Sequence, residues 1–140
     1  NLGGNIVVIG SKSDSELWNV GIQRPFAGSS DIIASVRVKD CSVVTSGIYE
    51  RYFEKDGVIY HHILDPATGY PVENDIDSVT IIAKSSTDAD ALSTSAFLLG
   101  SKAAIELLES IPGIEAVIVK TDGTTVTTSG IGSTIPFTQK

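Results

Sequence analysis

Apolar and polar residues alternate through the first half of the chain, a pattern that predicts short strands separated by turns. The predicted strands cover residues 5–9, 17–23, 31–39, 41–45, 49–53 and 58–63. The fourth strand is predicted to end at a break formed by Ser46 and Gly47. Residues 55–57 (Lys-Asp-Gly) are predicted to form a hairpin turn, because Asp-Gly readily adopts the positive φ that such turns need.

The pattern changes in the second half of the chain, where helical spacing replaces alternation. A loop over residues 64–77 and a strand at 79–83 precede two predicted helices, the first opened by a capping box from Thr87 to Asp90. The second helix is predicted to start at a Ser101 cap and to run through Leu108. Residues 114–119 and 124–128 then form a closing hairpin. We therefore expect residues 1–140 to form a single α+β domain with a mainly antiparallel sheet and two consecutive helices packed on one face.

Charge and composition exclude several classes of function. The formal charge is −7 and the pI is about 4.6, which argue against a surface that binds nucleic acid or anionic lipid. Recognition of a phosphate group must therefore depend on local features. Cys41 is the single cysteine, so no internal disulfide forms, and we expect it to be a buried apolar residue. No apolar stretch is long enough to span a membrane, and no signal peptide is recognised.

Both histidines of the chain, His61 and His62, stand where a predicted strand enters the long loop. Successive strand residues point to opposite faces, so one imidazole can face a site while the other faces solvent or the core. Histidine suits proton transfer near neutral pH, and Asp65 is close enough in sequence to orient an imidazole. The alternative is that this His-x-x-Asp-Pro segment only starts a turn, and the segment by itself favours that alternative.

Asp90 and Thr94 are four residues apart in the first predicted helix, so their oxygen atoms share one helical face. Such a pair suits a hard cation such as Mg²⁺, which also keeps waters or substrate phosphates as ligands. Acidic residues in a first helical turn are equally explained by the helix dipole. The dipole accounts for Asp88, whereas both explanations stay open for Asp90 and Thr94.

Two glycine-containing breaks, at residues 1–5 and 45–49, complete the candidate segments. Glycine lets the backbone approach a ligand closely, and successive N–H groups can form an anion-binding concavity. The alternative is that both breaks are plain turns.

Four segments, taken in order, resemble the ApbE family of FAD:protein FMN transferases, formerly called thiamine biosynthesis lipoproteins. They are residues 1–6 (NLGGNI), 46–53 (SGIYERYF), 60–71 (YHHILDPATGYP) and 89–94 (ADALST). The resemblance covers nearly the whole chain, and four motifs in the right order are far more specific than any one of them.

The resemblance implies a reaction in which FAD donates its FMN half to a threonine or serine hydroxyl of an acceptor flavoprotein and releases AMP. It implies that Asp90 and Thr94 hold Mg²⁺ and that His62 takes the proton from the acceptor hydroxyl. The residues implied to line the flavin end of the site are Ser46, Gly47, His62 and Ile63. His61 is expected to be structural and solvent-facing, and Tyr49 is expected to pack rather than react.

The resemblance begins at the middle of the family sequence, so we expect the chain to be the C-terminal part of an ApbE-like protein. The upstream part is implied to supply most FAD contacts, a metal ligand and a lysine near the flavin. The isolated chain is therefore expected to bind FAD weakly and to transfer little FMN. The family also implies a periplasmic or extracytoplasmic location and a membrane anchor for the full-length protein.

The same residues allow three alternatives to FMN transfer. The same residues would serve an FAD pyrophosphatase that uses water and yields FMN and AMP. A flavin-binding module without turnover is the second alternative, although His62, Asp90 and Thr94 are all present. The third is an α+β domain whose motifs are only turns and helix caps, which the four ordered matches make a poor explanation.

Overall fold

The computed structural model describes residues 1–12, 15–28 and 30–140. Within them the strands are β1 (Asn5–Val8), β2 (Trp18–Gln23), β3 (Ile32–Val38), β4 (Cys41–Gly47), β5 (Tyr52–Lys55), β6 (Val58–His61), β7 (Ile76–Ala83), β8 (Glu115–Lys120), β9 (Thr125–Thr127) and β10 (Phe137–Gln139). The helices α1 (Ser86–Leu99) and α2 (Ser101–Glu109) lie between β7 and β8. Neither of these helices is long and apolar enough to cross a membrane.

A five-stranded antiparallel sheet in the order β1-β4-β7-β8-β9 forms the centre of the fold. One face of this sheet packs against both helices, as predicted, through a core that includes Val79 and Ile81 from the sheet and Phe97 and Leu108 from the helices. These four side chains are at most 1% exposed. The α+β class and the packing of two consecutive helices on one face are confirmed.

A second sheet of three strands, in the order β10-β3-β2, covers the other face of the central sheet. Val43 and Ile82 of the central sheet share an apolar core with Val36 of the second sheet. The fold therefore has three layers, and the third was not predicted. Cys41 packs against this core as a half-buried free thiol, and burial raises the pKa of that thiol.

β4 continues through Gly47, so the predicted break at Ser46 and Gly47 is wrong. Ser46 and Gly47 pair with Val79 and Ser78 of β7. These ladder hydrogen bonds outweigh the tendency of glycine to end a strand. The extension places Ser46 on the sheet, directly beneath α1.

The caps of both helices differ from the predicted ones. α1 is capped by Ser85, whose hydroxyl accepts a hydrogen bond from the Asp88 N–H at 3.2 Å, so the helix begins before the predicted Thr87 cap. In α2 the cap comes from Asp75, which accepts from Ser101 N at 2.9 Å and from Ser101 Oγ at 2.5 Å. Ser101 is thus the first residue of α2 and donates to the group that caps it.

β5 and β6 form a separate two-stranded ribbon that ends at the two histidines. Its turn is the predicted one, with Asp56 at φ 53° and Gly57 at φ 76°. Tyr52 pairs with His61 at the base of the ribbon. The ribbon thereby delivers the His61-His62 pair to the point where the long loop starts.

Candidate functional site

Ser46 at the end of β4 meets Thr94 of α1. Its Oγ lies 3.2 Å from Thr94 Oγ1 and 2.8 Å from Ser93 Oγ. The neighbouring Thr45 points to the opposite face of the sheet, where its hydroxyl lies 2.9 Å from that of Thr80. The strand period thus directs Ser46 toward the helix, and two segments that are far apart in sequence share one group of hydroxyls.

Asp90 lies one helical turn before Thr94, and its side chain is exposed. Among the residues that the structure describes, no salt bridge engages its carboxylate. The Asp90 carbonyl accepts a hydrogen bond from Ser93 Oγ at 2.9 Å. An exposed carboxylate beside a threonine hydroxyl gives two oxygen ligands on one face of α1.

This ligand set fits Mg²⁺ as part of a shell. No group of three or more His, Cys, Asp and Glu side chains in residues 1–12, 15–28 and 30–140 could hold a metal ion. Mg²⁺ commonly takes one or two carboxylates together with waters and substrate phosphates, so Asp90 and Thr94 are compatible with part of such a shell. A metal that needs several histidine or cysteine ligands does not fit these two residues.

The N-terminal glycine segment joins the same part of the molecule. Thr45 N donates to the carbonyl of Gly4 at 2.9 Å, and Gly4 has a φ of 86°. Ser86 Oγ at the start of α1 donates to Asn5 Oδ1 at 2.9 Å. The first, second and fourth family-like segments therefore meet where β1, β4 and α1 adjoin.

His62 is exposed, and its ring is held by one hydrogen bond from the preceding segment. Its Nδ1 lies 3.2 Å from the carbonyl oxygen of Arg51, which also accepts from the His62 backbone N–H at 3.2 Å. A carbonyl can only accept, so Nδ1 carries the proton of the neutral ring. Nε2 is then unprotonated and able to take up a proton.

Asp65 does not orient the His62 ring. Its Oδ1 accepts from the backbone N–H of Ala67 at 2.8 Å, and its carbonyl accepts from Gly69 N at 2.7 Å. Asp65 therefore forms the turn that starts the long loop, which agrees with the alternative that the His-x-x-Asp-Pro segment starts a turn. The orienting group is the Arg51 carbonyl, for which the sequence carries no signal.

His61 is buried, so the expectation of a solvent-facing ring is wrong. Its side chain is 9% exposed and packs edge-on against Phe97 with 6.0 Å between ring centroids. Its Nε2 donates to the Val72 carbonyl at 3.2 Å, while Nδ1 is buried without a partner in the described residues. Burial lowers the pKa of His61. Strand alternation explains this outcome, because it turns His62 outward and His61 toward α1.

Ile63 and Gly47 are structural neighbours of the site with little side-chain surface of their own. Ile63 is 4% exposed and belongs to the helix-side core with Phe97. A Cβ on Gly47 would lie 2.7 Å from the Tyr49 ring. Tyr49 packs as expected, and burial raises its pKa to about 12. A ligand would meet Ile63 and Gly47 through backbone atoms, because one side chain is buried and the other is absent.

The structure unites some of the predicted site residues and leaves others apart. Ser46, Asp90 and Thr94 form one group, whereas no side-chain hydrogen bond joins His62 to that group among the described residues. Sequence reasoning missed Ser93, which lies three residues after Asp90 and is fully buried. A small polar residue on the buried face of a helix was the signal that could have identified it.

Comparison with known proteins identifies the family of the chain. The sequence model of the ApbE family matches residues 1–118, which contain all four of the motif segments. The chain belongs to the ApbE family. An FAD:protein FMN transferase from Treponema pallidum is 47% identical over 139 aligned residues, covering 94% of this chain and 38% of the relative. One from Klebsiella pneumoniae is 44% identical over 119 residues, covering 85% of this chain and 36% of the relative.

A solved ApbE structure agrees with this assignment. The ApbE protein from Thermotoga maritima superposes with a TM-score of 0.80 at 42% sequence identity, over 91% of this chain and 41% of that one. The chain thus spans about two fifths of the length of the family members that it matches.

Proposed function

We propose that this chain supplies the proton-accepting and metal-binding part of a Mg²⁺-dependent FAD:protein FMN transferase. The observation that carries the proposal is the hydrogen bond from His62 Nδ1 to the Arg51 carbonyl, because it leaves Nε2 of an exposed ring free to accept a proton. Membership of the ApbE family and the names of the relatives support this choice of reaction.

The transfer forms one phosphorus–oxygen bond and breaks another. The acceptor hydroxyl oxygen of a threonine or serine attacks the FMN-side phosphorus of FAD, and the bond from that phosphorus to the bridging oxygen breaks. AMP leaves with the bonding electron pair, and the hydroxyl proton passes to His62 Nε2. The product is an FMN phosphoester on the acceptor flavoprotein.

Asp90 and Thr94 would hold Mg²⁺ on the exposed face of α1. The bound cation would supply neutralisation of the diphosphate charge. A chain with a net charge of −7 would otherwise repel a diphosphate, and a cation bound at the site would reduce that repulsion. We place Ser46 at the diphosphate end of the site, because its hydroxyl contacts Thr94. Gly47 and Ile63 stay predicted flavin neighbours through their backbones.

The test compares variants of the full-length protein with FAD, Mg²⁺ and an acceptor protein that carries the attachment hydroxyl. Mass spectrometry measures the FMN adduct, and chromatography measures AMP. We expect His62→Gln to slow adduct formation by about 100-fold or more, the usual contribution of a general base. Asp90→Asn should raise the Mg²⁺ concentration needed for activity, whereas Asp88→Asn is the matched control on the same helical turn and should not.

The products decide between the alternatives. FMN and AMP without an adduct would identify an FAD pyrophosphatase. Flavin binding without turnover, unaffected by His62→Gln, would identify a non-catalytic module. The extracytoplasmic, membrane-anchored location of the full-length protein stays a prediction.

A further inference from the structure

We infer that Ser93 and Ser46 are positioning residues that fix the direction of the Thr94 hydroxyl proton, so that Thr94 offers only lone pairs to a cation. Thr94 Oγ1, Ser46 Oγ, Ser93 Oγ and the Asp90 carbonyl oxygen follow one another at separations of 3.2, 2.8 and 2.9 Å. We call this series the hydroxyl chain. The inference rests on the proposed function, because the cation is the one proposed for Asp90 and Thr94.

The direction of every proton follows from the last member of the hydroxyl chain. The Asp90 carbonyl can only accept, so Ser93 donates its single hydroxyl proton to that carbonyl. Ser93 Oγ must then accept from Ser46 in their 2.8 Å contact. Ser46 in turn has no proton left for Thr94, so Thr94 donates to Ser46 across 3.2 Å.

Thr94 thereby becomes an acceptor-only ligand. Its one proton points into the protein toward Ser46, and both lone pairs of its oxygen are left for the exposed side of α1. A free threonine hydroxyl rotates and can point its proton at an approaching cation, which repels it. Because the Thr94 hydroxyl is already held in one orientation, metal binding does not have to restrict its rotation, and less conformational entropy is lost.

Burial makes the arrangement rigid. Ser93 is fully buried and Ser46 is half-buried, so water does not compete freely for the inner hydroxyls. Ser95 offers a contrast on the same helix, because its hydroxyl also donates to a backbone carbonyl, that of Ala91 at 2.8 Å, but it is exposed and forms no hydrogen bond with another hydroxyl in the described residues. Ser95→Ala is therefore the matched control for Ser93→Ala.

Neutron diffraction from crystals of the deuterium-exchanged chain tests the proton order directly. We expect the deuteron on Thr94 to point at Ser46, that on Ser46 at Ser93, and that on Ser93 at the Asp90 carbonyl. A deuteron that runs from Ser46 to Thr94, or from Ser93 to Ser46, overturns the inference. This result does not depend on metal binding or on transferase activity.

Titration of Mn²⁺ into the full-length protein and its variants, followed by the electron paramagnetic resonance signal of the free ion, tests the consequence for binding. Ser93→Ala and Ser46→Ala should each weaken Mn²⁺ binding by about tenfold, the usual effect of losing a group that orients a metal ligand. The double variant should bind no more weakly than either single variant, because both break one hydroxyl chain. Ser95→Ala should bind like the wild type.

The outcomes separate the inference from the proposed function. The positioning role is overturned if the losses of Mn²⁺ affinity of the two single variants multiply in the double variant. It is also overturned if Ser95→Ala loses as much Mn²⁺ affinity as Ser93→Ala. A full-length wild-type protein that binds no Mn²⁺ refutes the metal assignment of the proposed function and the ligand role of Thr94 with it. In that case the neutron result still decides whether the protons are ordered. Thermal unfolding checks that each variant is folded. If Ser93→Ala does not fold, the Mn²⁺ affinity of Ser46→Ala and the deuteron positions decide the inference.

Discussion

Replacing Gly47 with alanine tests the packing that holds the end of β4 in place. The added Cβ would lie 2.7 Å from Cε1 and 3.1 Å from Cζ of Tyr49, and 3.2 Å from Cβ of Ser78. Ordinary carbon–carbon contacts are about 3.5–4.0 Å, so the nearest ring atom would have to move by about 0.8 Å. The φ of Gly47 lies outside the left-handed region, so the obstacle is space rather than backbone conformation.

The Tyr49 ring has little room to move. It meets Phe26 edge-on, with 6.2 Å between ring centroids, and burial of the ring raises its pKa to about 12. Overpacking of this kind costs about 1–3 kcal/mol in the free energy of unfolding. For 140 residues, a loss of that size lowers the melting temperature by about 3–10 °C. Urea unfolding followed by circular dichroism measures the free energy of unfolding, and thermal unfolding followed by the same signal measures the melting temperature.

Two comparisons isolate the Tyr49 contact as the cause. Gly28→Ala is the matched control, since no atom of the described residues beyond its chain neighbours lies within 4 Å of its added Cβ and its φ is not left-handed, and it should leave stability nearly unchanged. In a Tyr49→Leu background the clashing ring atoms are gone, so Gly47→Ala should cost at least about 1 kcal/mol less than in the wild type. The same cost in both backgrounds would refute this account of Gly47.

Two further predictions concern the pH dependence of stability. Asp75→Asn weakens the α2 cap and should cost about 0.5–2 kcal/mol at pH 7. The Ser101 hydroxyl lowers the pKa of Asp75 in the folded chain. The stabilisation by the Asp75 carboxylate is therefore fully present above pH 3.8, and it is lost as the pH falls through the lower folded pKa. A stability difference between wild type and Asp75→Asn that is as large at pH 2 as at pH 7 would contradict this prediction. Burial lowers the pKa of His61, so wild-type stability should decline as the pH falls below about 6.5, where only the unfolded chain takes up the proton. His61→Gln should flatten that decline in urea titrations, and an unchanged slope would show that another group causes it.

Local signals in the sequence predicted much of the fold. The Asp56-Gly57 turn, the helix ends near Gly100 and the strands around Val79 and Ile118 all depend on near neighbours, and they lie where the sequence placed them. The second sheet depends on distant pairing, such as that of Phe137 with Val36, and β10 is only three residues long. Neither property leaves a periodic pattern, so this layer was missed.

The candidate site divides in the same way. His62, Asp90 and Thr94 could be identified from motifs, because their chemistry resides in the side chains themselves. Ser93 and the Arg51 carbonyl act through contacts made only in the folded chain, one with Ser46 and one with the His62 ring. A backbone carbonyl has no residue type, so sequence reasoning assigned the orienting role to Asp65 instead.

In the proposed function, His62 shares one site with Asp90 and Thr94. The most direct measurement is the broadening of the His62 ring proton signal by bound Mn²⁺ in nuclear magnetic resonance spectra, with His62→Gln used to assign that signal. We expect strong broadening of the His62 signal, and we expect it to disappear in Asp90→Asn. A His62 signal that keeps its linewidth while the Asp90 amide signal broadens would contradict it.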